Sequence, residues 1–311
     1  MKNSVLSGLC YSTCVALAIA SLPGHASENG APTTPMGVFE FGTGFMPPAT
    51  PTGTFASRAA YYSTDKVVDS HGKKIAGQDL SLDVFSISAV YLKMTDEEIL
   101  GAKYGYSAIL PFLYMNADLS VSVPNVGVVF EDHTDLFKQG DMQIIPLILQ
   151  WNLAPNLAMN TQLQIQLPTG DYDKNRLVSP GLNHWVISPN YGVSYISDAG
   201  YEVSSNFQLD ISSENPDTHY TNGVEYRHEF GIGKHTGPWT VGLGGYYYRQ
   251  LTDDEGPGVI DGNKGTVTAL GPALSYFSPG KPAVWLHAYK EFDAENRAEG
   301  YNIALRIAMS F

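Results

Sequence analysis

The sequence predicts an all-β protein: a transmembrane, antiparallel, up-and-down β-barrel of about 12 strands over residues 54–311. Three observations predict it. Long segments alternate apolar and polar side chains with a period of two. Charged residues are scarce while Tyr and Gly are abundant. After the first 26 residues, no segment reaches the roughly 18 consecutive apolar residues of a membrane helix.

The alternation is clearest at the C-terminus. Tyr301, Ile303, Leu305, Ile307, Met309 and Phe311 occupy one face, against Asn302, Ala304, Arg306, Ala308 and Ser310 on the other. Successive strand side chains point to opposite faces, so one face is apolar and the other polar or small. Leu157–Pro168 sets Leu157, Met159, Leu163 and Ile165 against Asn160, Gln162, Gln164 and Gln166, and Tyr201–Ser212 repeats the scheme. A sandwich strand runs about 5–6 residues and a tilted membrane strand about 9–11. These segments have the membrane length.

Composition agrees. Charged residues make up 16% of the chain, below the roughly 25% of soluble domains. The 19 Tyr and 31 Gly suit strands with one apolar and one uncharged polar face. A net charge of −13 with no basic stripe argues against nucleic acid as a partner, because phosphate contacts need clustered Lys and Arg.

Residues 1–26 read as a secretory signal: Lys2, an apolar run from Val5 to Leu22, and small residues leading to a cleavage site after Ala26. Both cysteines, Cys10 and Cys14, fall inside it. The expected mature chain therefore has no disulfide, thiolate metal site or Cys nucleophile. Residues 27–53, rich in Pro, Gly and Thr, form an irregular segment expected in the lumen or across its mouth.

From residue 54, twelve strands are expected, at about 54–64, 80–94, 101–119, 141–153, 157–168, 184–197, 201–212, 218–233, 238–250, 265–278, 283–292 and 300–311. The links between them alternate long (65–79, 120–140, 169–183, 251–264) and short, as in outer-membrane barrels. The even count puts both termini on the periplasmic side. Tyr61, Tyr62, Tyr104, Tyr106, Trp151, Trp185, Tyr191, Tyr195, Trp239, Tyr247, Tyr301 and Phe311 are expected at the lipid–water boundaries. Such a chain belongs in an outer membrane. Its expected partners are lipid, lipopolysaccharide, the barrel-assembly machinery and a small-molecule solute.

Several segments carry a resemblance. These are Gln166-Leu167-Pro168-Thr169-Gly170-Asp171-Tyr172-Asp173, then Asn183-His184-Trp185, then Gly242 through Asp254 with its Tyr246-Tyr247-Tyr248-Arg249 core, Leu270-Gly271-Pro272 and Glu295 through Gly300. Together they resemble outer-membrane proteins of the meta-pathway of phenol degradation family, loosely over 54–311 and well over 160–311. The resemblance implies a transporter-like barrel for hydrophobic or aromatic molecules. It carries over no catalytic residue. The alternating apolar strand from Tyr301 to Phe311 also looks like the signal that barrel-assembly machinery reads. Pro111, Pro146 and Pro189 fall inside expected strands and depart from strand chemistry, so the strand boundaries near them are not fixed by the sequence.

No nucleophile elbow, phosphate-binding loop or His-Glu-x-x-His motif is present, so no catalytic residue, metal or cofactor is assigned. Asp171-Tyr172-Asp173 opens like a calcium loop but has Arg176 and Leu182 where Gly and Glu belong. By strand parity Glu202, Asp210, Glu225, Arg227, Glu229, His287, Glu291 and Arg306 face the lumen. There they either set charge selectivity or fill the interior as a salt-bridge network. Asp253, Asp254, Glu255 and Asp261 form an acidic outer loop, read as solvated or as a cation-attracting rim. The strand over 141–153 is apolar on both faces; with Trp151 towards lipid, it gives the lumen an apolar patch. The function expected is a small-molecule channel working by passive diffusion. A plugged structural or adhesive barrel and an outer-membrane hydrolase are the alternatives.

Overall fold

The computed structural model describes Glu28 and residues 35–124 and 126–311. The expected signal peptide and most of residues 27–34 lie outside the described residues.

Thirteen strands form one antiparallel sheet: β1 (Thr54–Thr64), β2 (Gln78–Ile99), β3 (Ala102–Val123), β4 (Gly127–Gln139), β5 (Gln143–Ala154), β6 (Leu157–Gln166), β7 (Val186–Ile196), β8 (Tyr201–Ser212), β9 (Glu225–Thr236), β10 (Trp239–Gln250), β11 (Thr266–Tyr276), β12 (Ala283–Glu295) and β13 (Tyr301–Ser310). Each pairs with its sequence neighbour from β5 to β13. The β1–β13, β1–β2, β2–β3 and β3–β5 ladders close a twelve-strand barrel. Closure leaves no open edge in the hydrocarbon, where an unpaired backbone group costs several kcal/mol.

The thirteenth strand corrects the sequence reading. Residues 120–140 were expected as a loop, yet β4 pairs with Phe112–Val123 while β5 pairs with Lys103–Ile109 of the same strand. β4 and β5 thus lie end to end along β3, separated only by residues 140–142. The polar run Glu131-Asp132-His133-Thr134-Asp135 hid a strand because it leaves the barrel. β2, β3 and β4 form a three-stranded tongue whose lower rows, at Val84 and Leu82, still pair with Tyr62 and Thr64 of β1; residues 78–81 of β2, with 118–123 of β3 and 127–133 of β4, continue beyond it. The expected strand start at 218 is also too early: Tyr220 and Thr221 make isolated bridges to Asn215 and Glu255.

Four strand prolines lie where a ladder is interrupted. Pro111 falls between the β5 and β4 pairings of β3, and Pro146 inside a bulge where Gly105 pairs with Ile148 but Ser107 with Ile145. Pro189 lies in a gap of the β7–β8 ladder and Pro272 in one of β11–β12. Proline has no N–H to give to a neighbour, so each sits where no donor is required. They interrupt ladders without ending strands.

The aromatics form girdles. At the outer end Tyr61, Phe85, Tyr114 and Phe137 stand in register across four strands, and Tyr61 contacts Tyr301 at 6.0 Å. At the other end Phe55 contacts Tyr91 and Phe311, and Trp239 contacts Tyr276 at 4.8 Å. Tyr62 is an exception to expectation: it turns inward, and its hydroxyl donates to Glu291 at 2.9 Å.

Candidate functional site

The lumen holds the chain's own N-terminal segment. Residues 35–53 run inside the barrel and join β1 at the periplasmic rim, where the Thr52 and Phe311 amides donate to Phe311 and Gly53 carbonyls. The other end reaches the outer loops: Glu28 accepts from Asn215, and its amide donates to Asn222. Thr54 and Ser310 pair at the periplasmic rim, as the even strand count requires of the two ends of the barrel, and the preceding chain runs up the lumen to Glu28 at the outer mouth.

This segment has irregular backbone, so its amides lack ladder partners, and buried amides demand acceptors. The barrel supplies carboxylates. Glu229 accepts from the Gly37, Val38 and Phe39 amides at 3.1, 2.7 and 2.6 Å. Glu202 accepts from Gly42 at 2.6 Å, and Ser194 from Gly44 at 2.8 Å. Carbonyls of the segment receive barrel donors in turn. Arg58 donates to Gly37 at 2.9 Å, Arg227 to Pro35 at 2.8 Å, Asn160 to Thr43 at 2.8 Å and the Trp285 indole to Phe41 at 3.0 Å.

Small residues make the room. Phe41, 2% exposed, sits against Gly231 and Gly233 of β9, where an added Cβ at Gly233 would stand 2.6 Å from its ring. A Cβ on Gly44 would stand 2.2 Å from the Ser194 amide nitrogen and 2.4 Å from the Ala158 carbonyl. The backbone therefore touches the wall directly. Among these contacts, β1, β6–β9 and β12 provide the docking face.

The structure places each candidate lumen residue as follows. Glu202, Asp210, Glu225, Arg227, Glu229, His287 and Glu291 are each at most 3% exposed. Asp210 pairs with Arg227 at 2.7 Å and accepts from Ser188 and Gln208. Glu202 also meets His235 at 2.7 Å. Glu291 gathers Tyr62, Tyr246 and the Gly300 amide, with Arg297 at 4.0 Å. Arg306 lies over Trp285 and 3.8 Å from Glu40. His287 stacks on Tyr289 and bonds Asn302.

Sequence reasoning missed three partners. Arg58 shares the inward parity of Thr54, Ala56 and Ala60, and that signal could have found it. Glu40 lies in irregular chain and Arg297 in the turn before β13, where no periodicity exists.

The acidic residues of the 251–265 loop are not brought together. Asp254 turns inward to Tyr220, Gly223 and Gln250. Asp253 accepts from the Gly262 amide and faces Lys264. Glu255 makes a backbone bridge to Thr221. Asp261 lines a small surface cleft with Val67, Ile75 and Ile260. Among the described residues no group of three His, Cys, Asp or Glu side chains is placed to hold a metal. The Asp171–Asp173 segment is tied down instead: Asp141 accepts from the Thr169, Gly170 and Leu182 amides at 3.0, 2.7 and 2.8 Å. Burial pushes the Asp141 carboxyl above its usual range.

A second arc of wall is different. Here β2, β3 and β5 present Leu92, Met94, Ile109, Ile145 and Ile148, with Met46 of the internal segment packed on them. The bulge at Pro146 shifts β5 by one residue. Ile145 and Ile148 therefore both turn inward, although simple alternation assigns them to opposite faces. Trp151 lies on the outward parity, and its indole donates to the Leu100 carbonyl at 3.2 Å.

A closed barrel with girdles at both ends and an internal segment filling a charged lumen defines the class: an outer-membrane-type β-barrel. The family model for the MetA-pathway of phenol degradation matches residues 64–307, and the chain belongs to that family. Among solved structures, an outer-membrane channel from Pseudomonas putida F1 shares the fold with a TM-score of 0.64 at 16% identity, over 85% of this chain and 97% of that one. The β domain of the Bordetella autotransporter BrkA aligns less well, with a TM-score of 0.46 at 9% identity over 84% and 100%. No curated protein matches the chain significantly.

Proposed function

We propose that this barrel is an outer-membrane channel passing small uncharged apolar molecules by passive diffusion along the β2–β3–β5 arc. The observation that carries the reading is the division of the lumen. The polar arc is occupied by the internal segment. The apolar arc touches that segment through Met46, Met94, Ile145 and Ile148, contacts without direction that an apolar solute can replace one for one. A hydrophilic solute would leave its polar groups unpaired along this wall. The reading is non-enzymatic: Glu202, Glu229 and Glu291 are engaged with backbone amides, His235 and tyrosines rather than converging on one reacting point.

In this proposal the chain is exported by residues 1–26, inserted by assembly machinery reading Tyr301 to Phe311, and bounded by lipid and lipopolysaccharide. The rival with specific support is a permanently plugged structural barrel, favoured by the many hydrogen bonds to residues 35–44. Flux in proteoliposomes decides. In vesicles whose outer leaflet is lipopolysaccharide, which slows apolar solutes, naphthalene should equilibrate faster with the protein than without it, while a sugar of similar size should not. Equal naphthalene rates with and without protein, together with no single-channel conductance, would leave the plugged barrel.

A further inference from the structure

Polarity inverts along the tongue. Below the outer girdle β2 and β3 follow membrane logic, with Ile87, Phe85, Leu110, Phe112 and Tyr114 outward and Ser86, Ser88 and Ser107 inward. One step above the Phe85–Tyr114–Phe137 row the outward face becomes Asp83, Asn116 and Asp135, then Ser81, Asp118 and His133, then Asp79, Ser120 and Glu131. Over the same rows the lumen-side face becomes Val84, Met115 and Leu136, then Leu82, Ala117 and Thr134, then Leu80 and Leu119 beside Asp132.

An apolar face on a strand extension normally meets lipid. This one cannot, because it belongs to the lumen side of the barrel sheet, and it rises above the aromatic row that marks the bilayer boundary. The outward face, which lipid would have to touch, carries Asp118 paired with His133 and Asp79 paired with Lys74. Leu80, Leu82, Val84, Leu119 and Leu136 are each part-exposed. The face is also continuous with the lumen. Below Val84 and Met115 the inward positions of β3 run through Leu113, Pro111 and Ile109, flanked on β2 by Ser86 and Ser88 and then Val90, to Leu92, Ile145, Met94 and Ile148 beside Ser107.

We propose that the lumen-side face of the β2–β3–β4 tongue is a binding site for small uncharged apolar molecules. They bind above the outer rim and pass from there onto the apolar arc of the lumen. Capture by the tongue stands on the polarity inversion alone; delivery to the lumen rests on the transport reading above. The ligand is uncharged because β2 and β3 give these rows only Leu, Val, Ala and Met side chains, and Asp132 of β4 with the carboxylates of the opposite face repels anions. It is small because the aliphatic rows span only β2, β3 and β4 and are bounded on the β1 side by Tyr62 and Thr64.

The test is photolabelling of the full-length barrel in phospholipid vesicles with 3-trifluoromethyl-3-phenyldiazirine, a neutral apolar benzene derivative, followed by peptide mapping. Label on Leu80, Leu82, Leu119 and Leu136 is expected, competed by excess naphthalene but not by naphthalenesulfonate. The double variant Leu82→Gln with Leu119→Gln should reduce that label about tenfold, while Asp118→Asn on the opposite face should not. Folding of each variant is checked by heat-modifiable mobility. Label confined to the lipid-facing Phe85, Phe112, Tyr114 and Phe137, or tongue label that survives the double variant, would overturn the site. Capture and transport separate cleanly. Tongue label without naphthalene flux removes the channel and keeps the site; flux without tongue label does the reverse.

Discussion

The two arcs of the lumen wall hold the same internal segment by opposite chemistry. Along β8 and β9, buried Glu202 and Glu229 would be costly charges without donors, and the segment's irregular backbone would be costly without acceptors. Each satisfies the other. Along β2, β3 and β5 nothing polar is at stake, and Met46 rests on methionine and isoleucine side chains. The first contact is directional and fails sharply when one partner is lost. The second is graded and tolerates exchange. A barrel that had only to be sealed could use the first kind all round; on the proposed channel reading, the second kind is where the segment can move.

The largest effect should come from preventing docking altogether. Gly44→Val adds a Cβ 2.2 Å from the Ser194 nitrogen, an overlap with backbone that no rotamer relieves. The segment should leave its seat, and ion conductance in planar bilayers should rise to that of an open twelve-strand pore. Unchanged conductance in a folded variant would show that the segment does not close the polar arc.

Glu229→Gln keeps the size and removes the charge. One amide oxygen can still accept, but the amide nitrogen then faces N–H groups that now bond to a carboxylate. Losing such a contact costs about 1–3 kcal/mol, so the undocked fraction should rise by roughly one to two powers of ten. Brief openings absent from the unmodified protein are the expected record. Arg227, two residues before Glu229 on the same face of β9, pairs with Asp210 and donates to Pro35, while Glu229 holds the amides of residues 37–39. The role of Glu229 is therefore tested by gating as well as by charge selectivity.

What the sequence made legible follows from what has a period. Tyr301 to Phe311 and the Leu157 and Tyr201 segments alternate cleanly, and β6, β8 and β13 fall within about two residues of expectation. The inward parity of Glu202, Asp210, Glu225 and Glu291 could be read the same way. Three things could not. β4 was missed because its polar rows point away from the barrel and mimic a loop. Ile145 and Ile148 share a face only through the Pro146 bulge, a one-residue slip that reverses parity. The seat of residues 35–44 depends on Gly231, Gly233 and Glu229 meeting a segment nearly 200 positions earlier, which no local pattern encodes.

Met46→Ala sharpens the contrast from the apolar side. It should loosen the lower part of the segment by about 1 kcal/mol, given partial burial of the side chain, without disturbing Glu202 or Glu229. Ion conductance should change little, and naphthalene flux should rise a few-fold. Equal increases in both would mean the arcs open together and the division is not functional.

The smallest effect should follow from Ile148→Asn, and it bears most directly on the apolar arc. Ile148 is fully buried between Met94 and Ile145, on the inner side of the bulge. An amide there puts two N–H donors and a carbonyl acceptor on an apolar wall, so an apolar solute passing it loses contact and meets a bound water. Naphthalene flux should fall by about half to fivefold, of the order expected for one lost aliphatic contact. Ion conductance and heat-modifiable mobility should match the unmodified protein, because no partner of the internal segment's backbone is touched. A parallel drop in mobility would trace the loss to folding. Unchanged naphthalene flux in a folded variant would mean that the solute takes another route, and the β2–β3–β5 arc would then be packing for Met46 and nothing more.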